Sequence, residues 1–179
     1  EQLQENKEHN QTEISKLINL ANTYKNIVSS VSIGNEASVS WTDHMVPVDS
    51  LCAYAKQLKA AVRQPVTFCE NYVPWLDKLK PLVDEIDFIS IHTYPVWEYK
   101  SIQEGLSYTI DNYNAVAQAY PDVQIVITEA GWATASNGHG IDVDKVNEVY
   151  QKQYFQQLMD WAEQEQVLVY YFEAFDENW

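Results

Sequence analysis

The sequence has few cysteines and few glycines, and no long apolar run, and each shortage excludes a class of protein. Cys52 and Cys69 are the only cysteines, and they lack the spacing of metal ligands or the context of a catalytic thiol. We expect two buried thiols, with a disulfide as the alternative. No glycine-rich phosphate loop follows a predicted strand, so a nucleotide-binding fold has no support. No apolar stretch approaches the roughly 20 residues that cross a bilayer.

Basic residues are also scarce. Lysine and arginine total 11 against 26 acidic residues, which gives a formal charge of -15 over 179 residues. Such a surface repels phosphate backbones and anionic lipid, so neither nucleic acid nor a membrane is an expected partner. The segment 1–6 is polar and lacks the basic and apolar regions of a signal peptide. Aromatic residues are frequent instead, at 13% with 6 tryptophans and 12 tyrosines, and this suits a sugar-binding cleft.

Hydrophobic periodicity predicts strict alternation of helices and strands. The predicted helices are 12–24 (with Thr12 as its N-cap), 48–62, 75–83, 101–120 and 143–164. The predicted strands are 27–33, 66–69, 87–91, 123–128 and 167–172. Alternation with short connections indicates parallel strands and an α/β fold. A doubly wound sheet and an α/β barrel both fit this alternation.

Every predicted strand delivers an acid or a polar ring to its carboxyl end, where parallel sheets and barrels place their active sites. The clearest case is the apolar run 125–127, which ends at Thr128 and Glu129 before Gly131 breaks the strand. The full set is Asn35, Glu36, Glu70, His92, Tyr94, Glu129, Trp132, Glu173, Asp176 and Glu177. Solubilising acids on an exposed edge are the alternative interpretation. The recurrence at all strands favours a functional cluster.

Carboxylates without a catalytic cysteine or a phosphate loop narrow the chemistry. Two carboxylates flanking a glycosidic bond are the minimal apparatus for its hydrolysis. Trp132 would offer a flat face to a sugar ring. Oxygen-rich clusters also bind magnesium or calcium, but these acids are far apart in sequence and interleaved with aromatics, so no metal site is predicted.

Four segments in this order resemble signatures of glycoside hydrolase family 17. They are Gly34-Asn35-Glu36, His92-Thr93-Tyr94-Pro95, Thr128-Glu129-Ala130-Gly131-Trp132 and Phe172-Glu173-Ala174-Phe175-Asp176-Glu177. That family contains β-1,3-glucanases and glucanosyltransferases within the clan of (β/α)8 retaining enzymes. The resemblance covers essentially the whole chain and aligns it with strands four to eight of the barrel.

The resemblance implies a role for each matching residue. Glu36 corresponds to the acid/base and Glu129 to the nucleophile, Asn35 contacts the sugar 2-hydroxyl, and Tyr94 hydrogen-bonds the nucleophile. Nearby acids are expected to raise the pKa of the most buried carboxyl, which would keep Glu36 protonated. Further substrate contacts are expected from Glu70, His92, Trp132, Glu173 and Glu177, with support of the acid/base as the alternative role for Glu173 and Glu177. No cofactor is implied; the expected partner is a β-glucan oligosaccharide or polysaccharide.

The same alignment predicts that residues 1–179 form only the C-terminal portion of a TIM barrel, without its first three βα units and last helix. A complete barrel runs to roughly 250 residues, so little hydrolysis of laminarin is expected from this portion alone. The full-length enzyme is expected to be a monomer, and extracellular or periplasmic as the resemblance implies. A retaining β-1,3-glucan hydrolase is the leading hypothesis. The alternatives are a β-1,3-glucanosyltransferase and a non-catalytic glucan-binding fragment.

Overall fold

Helices and strands alternate along the chain as predicted. The computed structural model describes residues 6–136 and 138–175. Its helices are α1 (Lys7–Thr23), α2 (Val48–Ala61), α3 (Tyr72–Trp75), α4 (Lys80–Val83), α5 (Ile102–Ala119) and α6 (Glu148–Glu165). Its strands are β1 (Val31–Asn35), β2 (Val66–Asn71), β3 (Ile89–Thr93), β4 (Ile125–Ala130) and β5 (Val169–Tyr171). They form one parallel sheet in the order β1-β2-β3-β4-β5, so the chain has an α/β fold.

The residue contacts divide the chain into two units. Unit 1 contains the residues up to Ser90 together with Pro121–Gln124, and unit 2 contains Ile91–Tyr120 and the residues from Ile125 onward. Within the described part of the chain, no helix is both long and apolar enough to span a membrane.

The core of unit 1 forms where α1 and α2 cover strands β1 and β2. Its members are apolar side chains that are each at most 4% exposed: Ile14, Ala21, Val31, Leu58 and Val66. Burying such side chains is the main favourable term in folding, at about 25 cal/mol for each Å² of apolar surface removed from water. The packing fixes β1 and β2, whose carboxyl ends carry the polar residues described below.

Unit 2 is held together by α5, α6 and the β4–β5 pair. The hydroxyls of Thr109 and Tyr154 are hydrogen-bonded at 2.6 Å between α5 and α6. At the end of β4, the Ala130 carbonyl accepts a hydrogen bond from the Phe172 N–H, just after β5, at 2.9 Å. The backbone approach there is so close that a Cβ on Gly131 would lie 1.7 Å from the Phe172 carbonyl oxygen. Glycine is therefore required by space at this position.

Three predicted helix starts are wrong. The segment predicted as a helix over 75–83 forms the separate short helices α3 and α4, and the other two errors come from capping. Helix α1 begins at Lys7 because the side chain of Asn6 accepts a hydrogen bond from the His9 N–H. Thr12 lies inside the helix, where its hydroxyl donates to the Glu8 carbonyl. Likewise, the segment predicted as one helix from 143 is split into a short 3₁₀ turn and helix α6, which Asn147 caps.

The cysteine prediction is half right. Cys52 and Cys69 are not joined in a disulfide. Both are half-buried rather than fully buried.

Candidate active site

Glu129 lies at the end of the most buried stretch of β4. Ile125, Val126 and Ile127 are each at most 5% exposed, whereas the Glu129 side chain is 23% exposed. The apolar run fixes the strand, and the strand delivers a carboxylate to its partly open end. The structure therefore places Glu129 where the sequence predicted it.

Two side chains from β3 and the residue after it converge on Glu129. The Tyr94 hydroxyl donates to Glu129 Oε2 at 2.6 Å, so the hydrogen bond expected between these residues is present. His92 Nδ1 lies 3.5 Å from the same oxygen, and the imidazole is only 1% exposed. His92 and Tyr94 are two residues apart and so point to the same face. Thr93, between them, points the other way and accepts a hydrogen bond from Asn112 at 2.9 Å.

Glu36 follows an irregularity at the end of β1. The pairing with β2 shifts register between Ser32 and Asn35, and bulges of this kind re-aim the side chains next to them. The Ser32 hydroxyl lies 2.6 Å from the Gly34 carbonyl and accepts from the Cys69 N–H at 3.3 Å. Beyond the irregularity, Glu36 adopts a left-handed φ of 45°. Glu36 thus leaves β1 at a point where the backbone departs from regular strand geometry.

The loop after Glu36 supplies two neighbours that the sequence analysis missed. The Trp41 indole N–H donates to Glu36 Oε2 at 3.4 Å, and Trp41 is 65% exposed. His44 lies with Nε2 3.2 Å from the Asn35 carbonyl and Nδ1 3.0 Å from Asp43. The hydrogen bond with Asp43, and then the Asn35 carbonyl, raise the pKa of His44. The available signal was their position, five and eight residues after a strand-end glutamate.

Glu70 was predicted to contact the substrate, and the structure corrects this. Its side chain is 0% exposed, and both carboxylate oxygens accept hydrogen bonds from the protein. Burial raises the pKa of Glu70 despite these hydrogen bonds, and the negative charge of Glu36 raises it further. Among the predicted carboxyls that the structure describes, the most buried is therefore Glu70 and not Glu36.

Trp132 was predicted to offer a flat face to a sugar, and the structure corrects this as well. It is 2% exposed, and its indole N–H donates to the Lys145 carbonyl at 2.9 Å. Its ring packs 5.4 Å from that of Tyr154, centroid to centroid. A Cβ on Gly105 would lie 2.8 Å from the Trp132 ring, so a glycine in α5 makes room for it. Trp132 is part of the packing of unit 2.

The remaining predicted residues differ in exposure, and some of them lie outside the part of the chain that the structure describes. Asn35 is exposed at the end of β1. Glu173 is half-buried, two residues after β5, and follows a cis peptide bond with Phe172. Asp176 and Glu177 lie outside the described residues. Glu129 and His92 offer a carboxylate oxygen and an imidazole nitrogen, which are donors that also suit a transition-metal ion. That the site uses no metal therefore stays a prediction.

Several solved structures of carbohydrate-active enzymes have folds similar to that of this chain. An endo-laminarinase from Formosa Hel1_33_131 has a TM-score of 0.86 at 23% identity, covering 94% of this chain and 54% of that one. A Rhizomucor miehei β-1,3-glucanosyltransferase, an active-site mutant in complex with laminaritriose, has a TM-score of 0.73 at 24% identity, covering 91% and 62%. A GH113 β-1,4-mannanase has a TM-score of 0.60 at 18% identity, covering 93% and 54%.

The likeness to these structures shows the fold, which is that of (β/α)8 glycoside hydrolases. The chain spans between about half and just under two thirds of their lengths. No curated protein sequence is significantly similar to it. A family profile for the BtgE/BtgC glycoside hydrolase domain, however, matches residues 2–179. The chain belongs to the BtgE/BtgC glycoside hydrolase domain family.

Proposed function

We propose that this chain carries the catalytic groups of a retaining glycosidase that acts on β-1,3-glucan, of the kind found in glycoside hydrolase family 17. The observation that carries the proposal is the 2.6 Å hydrogen bond from Tyr94 to Glu129, at the end of a buried strand in a glycoside hydrolase domain. The similar endo-laminarinase and β-1,3-glucanosyltransferase support the substrate class.

In this mechanism Glu129 is the nucleophile. One carboxylate oxygen, Oε2, accepts the hydrogen bond from Tyr94, and the other oxygen is left to attack the anomeric carbon. Tyr94 fixes the rotation of the side chain, so the attacking oxygen keeps its direction. The product of this step is a covalent glycosyl-enzyme.

Glu36 is the acid/base. It protonates the leaving glycosidic oxygen in the first step and removes a proton from the attacking water in the second. Retention of configuration requires that the Glu36 and Glu129 carboxyls lie roughly 5 to 5.5 Å apart. We propose that Asn35 contacts the substrate next to the acid/base, and that Glu173 and Glu177 contribute further sugar contacts. His92 supports Glu129 from its buried side.

The proposed enzyme is larger than this chain, because the similar structures extend well beyond the part that it matches. We propose that residues 1–179 are part of a (β/α)8 catalytic domain that further βα units complete. The experiments below therefore use the natural polypeptide that contains this chain. Its expected partner is a β-glucan outside the cell, and the expected state of the enzyme is a monomer.

The stereochemistry of the first-formed product tests the proposal. We expect the natural polypeptide to release β-configured reducing ends from laminari-oligosaccharides, because two successive inversions at the anomeric carbon retain its configuration. Proton NMR during the first minutes of the reaction, before mutarotation, measures this. First-formed α-anomers would exclude the double displacement, and failure to cleave any β-1,3-glucan would exclude the substrate class.

Replacing Tyr94 with phenylalanine tests whether the hydrogen bond from Tyr94 to Glu129 serves catalysis. A hydrogen bond to a charged group is worth about 1.5–3 kcal/mol, so we expect kcat for laminari-oligosaccharides to fall about 10- to 100-fold. Tyr170→Phe is the matched control, because Tyr170 lies on β5 with 53% of its surface exposed, and it should leave kcat unchanged. Equal kcat for Tyr94→Phe and the natural enzyme would mean that this hydrogen bond does not serve catalysis.

A glucanosyltransferase is the second candidate, since a sugar can replace water in attacking the same glycosyl-enzyme. The similarity to the Rhizomucor miehei enzyme favours it. The exposed Trp41 ring next to Glu36 also favours it, because a sugar acceptor would enter on the side of the acid/base. Mass spectrometry of the products distinguishes the two activities, since only a transferase makes oligomers longer than the substrate. A non-catalytic glucan-binding protein would show affinity without turnover.

A further inference from the structure

Glu70 is a carboxylate with no exposed surface. It lies near the end of β2 and is 0% exposed. Acidic side chains are almost never fully buried unless they are paired, because removing the charge from water is costly. The buried carboxyl group therefore needs hydrogen-bond donors from the surrounding protein. Because the side chain has no exposed surface, a sugar cannot contact it.

Three donors in unit 1 compensate the burial. The Ser38 N–H and hydroxyl donate to Glu70 Oε2 at 2.8 and 2.7 Å, and the Asn71 N–H donates to Oε1 at 2.7 Å. Ser38 is itself buried, at 2% exposed. Leaving a buried polar group without its partner costs about 1–3 kcal/mol, so the two hydrogen bonds from Ser38 link its segment firmly to the end of β2.

Ser38 lies only two residues after Glu36, so the link acts on the backbone that carries the acid/base. Glu36 is held on its other side, where its own N–H donates to the Cys69 carbonyl at 2.9 Å. Between these two attachments the backbone takes the left-handed conformation at Glu36. Residues other than glycine rarely adopt this conformation. A conformation of that kind persists only where its surroundings enforce it.

We propose that Glu70 is a positioning residue for Glu36: it holds the segment 36–38 by way of Ser38 and so sets where the acid/base carboxyl points. This inference rests on the proposed function, in which Glu36 protonates the leaving group. The side chain must be a carboxylate for this purpose. Glutamine has one acceptor oxygen and would present its NH₂ group to one of the donors.

The test compares two substrates of the natural polypeptide that differ in their need for an acid. Laminari-oligosaccharides have a sugar leaving group that must be protonated, whereas a 2,4-dinitrophenyl β-glucoside has a leaving group that departs without a proton. For Glu70→Gln we expect kcat/KM on the oligosaccharide to fall about 10²-fold, the cost of a misplacement of about 1 Å. On the activated glucoside kcat/KM should hardly change. Azide, which needs no general base, should restore a lowered kcat on the activated glucoside.

Ser38→Ala keeps the backbone donor and removes only the hydroxyl. It should give the same selective loss on the oligosaccharide, to a smaller extent, and it tests the proposal even if Glu70→Gln does not fold. Glu13→Gln is the matched control, because Glu13 is an exposed carboxylate of α1 in the same unit, and it should behave like the natural enzyme. Circular dichroism and thermal unfolding establish that each variant is folded.

Two results would overturn the inference. One is an equal loss on both substrates by Ser38→Ala and by folded Glu70→Gln, which would mean general damage; the other is no loss on either. Glu36→Gln separates this failure from failure of the proposed function. If Glu36→Gln has a lowered kcat/KM on the oligosaccharide and an unchanged kcat/KM on the activated glucoside, Glu36 is the acid, whatever the role of Glu70. If Glu36→Gln leaves kcat/KM unchanged on both substrates, the proposed function itself is wrong.

Discussion

Replacing Glu129 with glutamine should lower kcat/KM for laminari-oligosaccharides by on the order of 10⁴-fold or more, as removal of a covalent nucleophile does in other hydrolases. The amide still accepts the Tyr94 hydrogen bond through its oxygen, so the side chain keeps its position. It has no negative charge with which to attack the anomeric carbon. Steady-state kinetics on the natural polypeptide measures the loss.

Azide identifies which face of the sugar has lost its carboxylate. With Glu129→Ala and an activated β-glucoside, azide should enter from the vacated face and form the α-glucosyl azide, with inversion. With Glu36→Ala it should instead replace water in the second step and form the β-glucosyl azide. Product analysis by NMR gives the configuration. A β-azide from Glu129→Ala, or activity of Glu129→Gln within tenfold of the natural enzyme, would contradict the assignment of the nucleophile.

Gly131→Ala should be the most damaging small substitution in unit 2. Its new Cβ would lie 1.7 Å from the Phe172 carbonyl oxygen and 2.9 Å from the carbonyl carbon. Both are backbone atoms, so no side-chain rotation relieves the overlap, and the segments after β4 and β5 must separate. We expect the free energy of unfolding to fall by about 3 kcal/mol or more. Urea unfolding measures the change, and kcat should fall too, because Glu129 lies two residues before the displaced glycine.

Gly138→Ala is the control for the same chemical change without the overlap. Gly138 has a φ of +80°, and nothing lies within 4 Å of a Cβ placed there. The substitution should cost only the strain of a left-handed backbone, about 1–2 kcal/mol. If Gly131→Ala proved no more destabilising than Gly138→Ala, the close approach to Phe172 would not be a constraint of the folded protein.

Strand ends were the most predictable part of this molecule. Runs of β-branched residues such as Ile125–Val126–Ile127 fix a strand by local composition, and the first polar residues after the run mark its end. The position of Glu129 and its hydrogen bond with Tyr94 were therefore accessible from the sequence. The first of these needs only a local pattern, and the second came from the resemblance of short motifs.

Burial by distant segments was not accessible. Trp132 comes shortly after a strand-end acid, a position typical of a ring that stacks on a ligand. Its ring is instead buried in the space left by Gly105, 27 positions earlier in α5. Glu70 lies near the carboxyl end of β2, where an acid would be expected to be exposed, but Ser38 from the loop after β1 packs against it. Both outcomes depend on residues that the local pattern does not contain. The caps at Asn6 and Asn147 were missed for a simpler reason: several polar residues precede each helix, and local pattern does not choose among them.

The backbone at Glu36 has a consequence for how this protein balances durability against activity. A residue with a side chain held at a φ of 45° gives up about 1–2 kcal/mol that a glycine would not lose. Since the folded state of a typical domain is favoured by only about 5–15 kcal/mol, that is a sizeable fraction to concede at one position. Glycine, which has no carboxyl group, would adopt this backbone conformation with the least strain. Selection for stability alone would therefore act against the acid at the very position where the proposed chemistry needs it.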